Sequence, residues 1–362
     1  MGISHRRQAV LENDKLRLVV LPGGGHIASV TLRSNPVNPL WDPPWETIEP
    51  SQYDAAKHGV TYGTDVDGRL LSGIAGHNLC FDLFGVPSEA EAKAGLDVHG
   101  EASSADWEVA VDGPEMICRG EFPLCGMAFE RRLRLAEGSQ VVTVTETAIN
   151  RSGVDRPVGW TQHVTLGPPF LEKGKTRFHA PGGASKTLEA EFAPGHDRFP
   201  IGAEFQWPYA PRIDGGFEDL RTLTAEKVGG AFTTHLMAPD REQAYFTAWS
   251  PGSKLAFGYV WKRSDFPWLG IWEENGGRTH APWSGRTLTR GMEFGASPFP
   301  ETRRSWLDRG SLFGQPVSRW IPAGGRGTAE YRIFLVETDA APEAVEYRDG
   351  AVRAPGLFEL AG

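Results

Sequence analysis

Residues 122–150 read FPLCGMAFERRLRLAEGSQVVTVTETAIN, and this stretch decides the fold class of the chain. In MAFERRLRL (127–135) apolar and polar residues alternate, and QVVTVTETAI (140–149) is rich in β-branched residues. Alternation with a period of two matches the side-chain directions of a β-strand, and the AEGS segment between the two runs can form a turn. The stretch therefore predicts two antiparallel strands joined in a hairpin.

Similar runs occur on both sides of this hairpin. They are residues 16–21 with 27–34, AYFTAWS (244–250), KLAFGYVWK (254–262), LTRGMEFGAS (288–297) and AEYRIFLVE (329–337). The 44 glycines and 27 prolines are spread along the chain and leave few windows for a long helix. The length alone would also allow two domains. Because there is no internal repeat or composition break, we predict an all-β chain in which residues 1–362 form one large antiparallel β-sandwich.

Two segments depart from the strand pattern. PSEAEAKAG (87–95) predicts one short helix, because Ser88 and Glu91 have the capping-box spacing and Gly95 can end the turn. NPVNPLWDPPWETIEPSQYD (35–54) is rich in proline, which removes the hydrogen-bond donors that strands and helices need. We expect a long surface loop there, and such loops often border a functional site.

Composition excludes several classes of protein. The 46 acidic and 37 basic residues give a net charge of −9 without any run of lysine or arginine, which argues against a nucleic-acid partner. No segment approaches the roughly 18 consecutive apolar residues of a membrane span, and the first residues lack the apolar core of a secretory signal. Three cysteines, an odd number at spacings that suit neither zinc nor a redox pair, indicate packed thiols in a cytoplasmic protein.

Three polar residues are placed in or beside strand-like sequence. They are His99 in GLDVHGEASSADWEV (95–109), His163 in GWTQHVTLGPPF (159–170) and Glu293 in RTLTRGMEFGASPFPE (286–301). Each has a simple alternative explanation, since a histidine beside a glycine can bind a loop carbonyl and a strand glutamate usually faces water. Signatures such as a P-loop, HExxH, GxSxG or an EF-hand loop are missing from the sequence, so it predicts no metal or organic cofactor.

Taken together, these segments resemble the galactose mutarotase-like (aldose 1-epimerase) family. The 95–109 segment is similar to that family's Gly-Leu-x-x-His-Gly loop, and residues 129–170 are similar to its hairpin followed by the strand with a second histidine. GMEFGASPFPE (291–301) resembles the strand that carries the family's glutamate, and IPAGGRGTAEYRIFLVE (321–337) its closing segment. The resemblance extends from about Leu11 to Glu337 and implies the galactose mutarotase-like supersandwich.

The resemblance also implies a chemistry, the interconversion of sugar anomers by ring opening. It assigns Glu293 as the base at the anomeric hydroxyl, His163 as the acid at the ring oxygen and His99 as a second donor that steadies the ring. Such proton transfers need groups within hydrogen-bond reach of the reacting atoms and need no cofactor. The partner implied is a small-molecule carbohydrate.

The sequence departs from the family's pattern at the substrate contacts. Glu293 is followed by Phe294 where many members have proline, and the arginine that precedes the histidine loop has no clear counterpart in GRLLSGIAGHNLCFDLFG (68–85). That segment offers Arg69, His77 and Asn78, of which we expect Asn78 to contact a hydroxyl.

Other sugar contacts are expected further along the chain. Asp214 lies in the interval where a hydroxyl-binding carboxylate is expected, although Asp-Gly-Gly also suits a turn. Trp272 and the neighbourhood of Trp160 offer apolar surface for a sugar ring or for the core. Glu273 and Glu274 are rivals to Glu293 as the base, but their EENGG context predicts a turn.

Two other functions remain open from the sequence. The same scaffold could serve a non-catalytic carbohydrate-binding or regulatory protein, which keeps the pocket and does no chemistry. It could also serve a sugar lyase or isomerase, whose products would differ from those of a mutarotase in composition or unsaturation.

Overall fold

A computed structural model of the chain describes residues 2–223 and 228–362. The strands are, in chain order, β1 (Ala9–Glu12), β2 (Leu16–Leu21), β3 (His26–Leu32), β4 (His77–Asp82), β5 (Glu108–Asp112), β6 (Glu115–Phe122), β7 (Met127–Leu135), β8 (Val141–Asn150), β9 (Arg156–Leu166), β10 (Arg177–His179), β11 (Gly182–Thr187), β12 (Glu204–Gln206), β13 (Tyr209–Pro211), β14 (Phe217–Asp219), β15 (Gly229–Met237), β16 (Gln243–Ser250), β17 (Leu255–Lys262), β18 (Trp268–Asn275), β19 (Leu288–Gly295), β20 (Ser311–Leu312), β21 (Gln315–Pro316), β22 (Arg319–Ile321), β23 (Arg326–Glu337), β24 (Glu346–Arg348), β25 (Ala351–Ala354) and β26 (Phe358–Ala361). The helices are α1 (Ala55–Tyr62), α2 (Gly68–Gly73), α3 (Glu89–Lys93) and α4 (Arg303–Arg309), with a 3₁₀ turn at Pro50–Gln52.

Two antiparallel sheets form the body of the molecule. Within the described residues the larger sheet has the order β1-β2-β3-β4-β9-β19-β18-β15-β11-β12, with β22 also paired to β9. The smaller one has the order β10-β16-β17-β23-β8-β7-β6-β5. Short sheets of two or three strands complete the fold, and the last of them, β24-β25-β26, packs its apolar residues on the outer face of the smaller sheet. The prediction of an all-β antiparallel sandwich is confirmed.

The hairpin predicted over residues 122–150 is present as β7 and β8. Leu133 pairs with Val144 and Leu135 with Val142, and all four side chains are buried between the two sheets. Alternate residues of a strand point to opposite faces, so the period-two pattern puts one side of the hairpin into the core. The strands predicted around residues 244–262, 288–297 and 329–337 also form, as β16, β17, β19 and β23.

A buried polar network crosses this core. Nε of Arg131 lies 2.7 Å from Oε1 of Glu146, and both side chains are fully buried. The Trp160 indole and the Tyr331 hydroxyl donate to the same carboxylate, at 2.9 and 3.0 Å. Trp160 therefore belongs to the core, which is one of the two alternatives that the sequence left open for it.

The other face of the larger sheet is covered by chain segments between its strands. Residues 35–54 form no strand of a sheet, as the prolines predict, but Trp41 and Trp45 in this loop are buried. Both pack against Trp283, with ring centroids 6.2 and 5.2 Å away. The expected surface loop therefore packs over the sheet, because burying its large aromatic side chains is more favourable in free energy than exposing them.

The smaller predictions also have clear outcomes. α3 begins at Ser88 with both hydrogen bonds of the capping box to Glu91. Cys80, Cys118 and Cys125 are buried and unpaired, as packed thiols should be. Across the described residues, no helix has the length and apolar character that crossing a bilayer would require.

Candidate active site

His163 and Glu293 meet on the face of the larger sheet that lies away from the sandwich core. They are directly opposite each other on the neighbouring strands β9 and β19. Nε2 of His163 is 3.1 Å from Oε1 of Glu293, and both side chains are almost completely buried. The hydroxyl of Thr165, two residues along the strand, is 3.1 Å from Nδ1 and fixes the ring from its other side. An imidazole and a carboxyl group are thereby held next to each other on rigid strands, and Oε1 of Glu293 makes no hydrogen bond of regular geometry with the described residues.

Glycines on the adjacent strand positions make room for this pair. A Cβ at Gly291 would lie 2.5 Å from Oε1 of Glu293 and 3.2 Å from Cβ of Trp272. Gly270 on β18 is paired directly with Glu293 on β19, and a Cβ there would lie 2.8 Å from the ring of Phe232. Gly291 in the RGMEFG segment thus leaves a space in the sheet surface into which the Glu293 carboxylate projects.

His99 approaches from a loop rather than a strand. Its backbone has a φ of 67°, and it is followed by Gly100 at a φ of 82°, where a Cβ would lie 2.1 Å from the carbonyl oxygen of Phe81. The His-Gly pair is therefore needed for the chain to turn tightly against β4. Nδ1 of His99 accepts from the Gly85 amide at 3.2 Å, which leaves the proton on Nε2. The His99 and His163 ring centroids are 5.3 Å apart.

These three side chains line one cavity of about 410 Å³, a size typical of small-molecule sites. Its walls are mostly apolar and include Leu70, Leu71, Ile74, Val98, Phe192 and Phe232. Trp272 and Trp283 add aromatic surface, and Asp65, Asp67, Arg278 and His280 add polar groups. The cavity therefore combines flat apolar surface with a few charged or hydrogen-bonding groups, as a sugar-sized ligand requires.

Burial shifts the ionisation of the floor residues toward their neutral forms. It raises the pKa of the Glu293 carboxyl well above its ordinary value and lowers the pKa of His163 to about 4. The pKa of His99 is also well below its usual range, first because of burial and then because of the charges of His163 and Arg278. Burial therefore favours a protonated Glu293 beside a neutral His163 in the free protein.

Of the expected sugar contacts, Trp272 lines the cavity, whereas Asn78 neighbours His163 on the adjacent strand without lining the cavity. Trp272 lines the cavity with its ring centroid 5.6 Å from that of His163. Asn78 lies beside His163 on β4 with its side chain fully buried, and its amide nitrogen has no hydrogen-bond partner among the described residues. A contact between Asn78 and a hydroxyl stays a prediction.

The remaining candidates lie elsewhere. Asp214 is exposed in the turn between β13 and β14, where its carboxylate pairs with Arg212 at 2.7 Å, so the turn alternative explains it. His77 is buried in the core against Tyr259 and Gln162. Arg69 pairs with Asp97 at 3.3 Å.

The two rival glutamates lie within β18, which ends at Asn275, instead of forming a turn. Glu273 points to the opposite face from Trp272 and pairs with Arg198 and Arg290. Glu274 lies 3.5 Å from Arg278 and binds its backbone. Neither is placed to act as the base, and the turn begins only after Asn275.

Sequence reasoning missed Thr165, Arg278 and Thr234. Thr234 is in the same cross-strand row as Gly270 and Glu293, and its buried hydroxyl has no partner among the described residues. The spacing of Thr165 two residues after His163 could have indicated a shared face. Arg278 and Thr234 carry no such local signal. In residues 2–223 and 228–362, no cluster of three or more histidine, cysteine or acidic side chains could hold a metal ion.

The fold and site together define a class, an antiparallel sandwich with a histidine and a glutamate side by side at the floor of a small cavity. Among solved structures, the chain is similar to a candidate aldose 1-epimerase from Klebsiella pneumoniae, with a TM-score of 0.64 at 15% identity, covering 90% of this chain and 78% of that one. It is also similar to a galactose mutarotase related enzyme from Lactobacillus acidophilus, with a TM-score of 0.58 at 14% identity over 92% and 99% of the chains.

A third similar structure is a galactose mutarotase-like protein from Clostridium acetobutylicum, with a TM-score of 0.56 at 13% identity over 93% and 97% of the chains. No family model and no curated protein matches the sequence. The chain has the galactose mutarotase-like fold, which confirms the structural part of the resemblance.

Proposed function

We propose that this chain is an aldose 1-epimerase-like isomerase that interconverts the anomers of a sugar in the cytoplasm. The observation that carries the proposal is the 3.1 Å approach of His163 to Glu293 at the floor of a cavity of sugar size. Ring opening needs a base and an acid close together, because one proton leaves the anomeric hydroxyl and another reaches the ring oxygen.

The reaction balances with these two groups alone. Glu293 as carboxylate takes the proton of the anomeric hydroxyl, and His163 as imidazolium gives its proton to the ring oxygen while the bond from C1 to that oxygen breaks. The open aldehyde rotates about the C1–C2 bond. The ring then closes on the other face, the new ring oxygen returns its proton to His163, and the new anomeric oxygen takes one from Glu293.

The buried pair can reach this working state without any change in its net charge. In one arrangement the proton is on the carboxyl of Glu293 and the imidazole of His163 is neutral. In the other the proton is on the imidazole, which then lies 3.1 Å from a carboxylate. Burial favours the neutral arrangement in the free protein. A polar sugar entering the cavity supplies hydrogen bonds that favour the charged one.

His99 supports the ring in this scheme. Its proton is on Nε2, because Nδ1 accepts from the Gly85 amide, and its ring is next to that of His163. Trp272 offers an apolar face of the kind that the C–H side of a sugar ring stacks against.

Anomer exchange by NMR tests the proposal. With Glu293→Gln, which keeps the shape and removes the base, we expect the rate enhancement for a free aldose to fall on the order of 10²- to 10⁴-fold. Asp214→Asn is the matched control, since that carboxylate is exposed and paired outside the cavity, and it should leave the rate unchanged. Equal rates for Glu293→Gln and the unaltered protein would overturn the proposal.

Two other results would favour the alternatives. Sugar binding by calorimetry without any exchange in the unaltered protein would favour a binding or regulatory protein. A change in the mass or ultraviolet absorbance of the product would favour a lyase or another isomerase.

A further inference from the structure

Arg278 lies on the loop that follows β18 and reaches the cavity. It follows the Gly276-Gly277 turn after β18, and its guanidinium lies over the ring of Trp283 at 4.7 Å and that of Phe192 at 5.1 Å. Cation–π contacts of this kind hold a guanidinium in one plane. Arg278 lines the same cavity as His163 and Glu293.

One carboxylate anchors this arginine and leaves its outer edge available. The backbone amide of Arg278 donates to Oε1 of Glu274 at 3.0 Å, and Nε lies 3.5 Å from Oε2 of the same residue. The terminal nitrogens Nη1 and Nη2 have no hydrogen-bond partner in the part of the chain that the structure describes. A planar fork with two adjacent free donors suits two neighbouring acceptor oxygens.

The charges around the fork indicate which oxygens it binds. Glu274 already offsets the charge of Arg278, and Asp67, at the start of α2, lines the same cavity. Asp65 adds another carboxylate at the rim. A phosphate dianion would meet these carboxylates as well as the arginine, whereas hydroxyls can accept from the fork and donate to a carboxylate.

We propose that Arg278 is the substrate-positioning residue of this cavity, binding a pair of sugar hydroxyls through Nη1 and Nη2 while Asp67 accepts from a hydroxyl. This assignment rests on the proposed function for its ligand, a neutral unphosphorylated sugar. It places the arginine on the loop after β18, far along the sequence from the 68–85 segment.

Steady-state anomer exchange on D-glucose, D-galactose and their monodeoxy derivatives tests this role. With Arg278→Met we expect KM to rise about 10- to 100-fold, the loss of one or two hydrogen bonds to a charged group, with a smaller change in kcat. Arg278→Lys should recover part of the loss. Arg286→Met is the matched control, because Arg286 is an exposed residue of the same loop that does not line the cavity.

The monodeoxy series separates contact from a merely structural effect. In the unaltered protein, removing the hydroxyl that Arg278 binds should raise KM, and in Arg278→Met that derivative and its parent sugar should have equal KM. The assignment would be overturned if the KM differences between the parent sugar and its monodeoxy derivatives were the same in Arg278→Met as in the unaltered protein. Binding of glucose 6-phosphate more tightly than glucose, lost in Arg278→Met, would overturn the neutral-sugar part.

Calorimetric measurement of sugar binding in Glu293→Gln, with and without Arg278→Met, distinguishes the proposed contact of Arg278 from the proposed epimerase function. Sugar binding that depends on Arg278, in a protein whose unaltered form shows no exchange, would refute the epimerase function and support the contact. Anomer exchange that depends on Glu293 but not on Arg278 would support the epimerase function and refute the sugar contact of Arg278.

Discussion

The substitution Gly291→Ala tests how closely the sheet surface must fit the Glu293 carboxylate. A Cβ at position 291 would lie 2.5 Å from Oε1, whereas ordinary van der Waals contact begins at 3.4 Å. The neighbouring Trp272 is already 3.2 Å from the same point and buried, so the carboxylate, and not the indole, has to move.

The required displacement sets the expected loss of rate. The carboxylate must retreat by about 0.9 Å, and a misplacement of about 1 Å at a reacting group can cost on the order of 10²-fold. We therefore expect anomer exchange in Gly291→Ala to fall about 10²-fold. Alanine is no worse than glycine for a strand backbone, so the fold should survive.

The assay is NMR exchange spectroscopy on a free aldose, together with thermal unfolding. Gly153→Ala is the control, because a Cβ there meets nothing within 4 Å and the residue is exposed. The reasoning would be refuted by a folded Gly291→Ala protein that exchanges anomers as fast as the control.

Two further predictions concern pH and stability. The rate should stay constant through the ordinary imidazole range near pH 6.5. It should fall toward about pH 4, where His163 takes up a proton beside protonated Glu293. It should fall again at high pH, where Glu293 loses its proton. A kcat/KM profile with its acid limb centred near pH 6.5 would contradict this. Arg131→Met should lower the free energy of unfolding by about 3–5 kcal/mol in urea titrations, because it strands the buried charge of Glu146. The exposed-pair control Arg119→Met should cost at most about 1 kcal/mol, and equal losses for both would argue against a buried charge effect.

Much of the fold follows from local pattern. The alternation in residues 127–135 and the β-branched run after it are sufficient to predict β7 and β8, because burying one face of a strand requires that period. The capping box of α3 is equally local. The 35–54 loop shows the limit of such reasoning, since its prolines exclude regular structure but do not indicate that Trp41 and Trp45 pack inward.

The candidate site divides in a similar way. Resemblance to a family of known chemistry picks out His99, His163 and Glu293, and all three line one cavity. Asp214 is indicated only by its position along the chain, and position alone does not distinguish a turn carboxylate from one that binds a ligand. The local sequence does not indicate Arg278, because its place in the cavity depends on which loop lies above which strand.

The sequence by itself determined the β class, the strand positions and the residue types able to move protons. Only the tertiary structure decided that β9 lies beside β19, so that His163 faces Glu293, and that Arg278 and α2 close the same cavity. The physical reason is that strand period and capping are set by neighbours a few residues away. Strand pairing and loop packing are instead set by the free energy of burying surfaces that are distant along the chain.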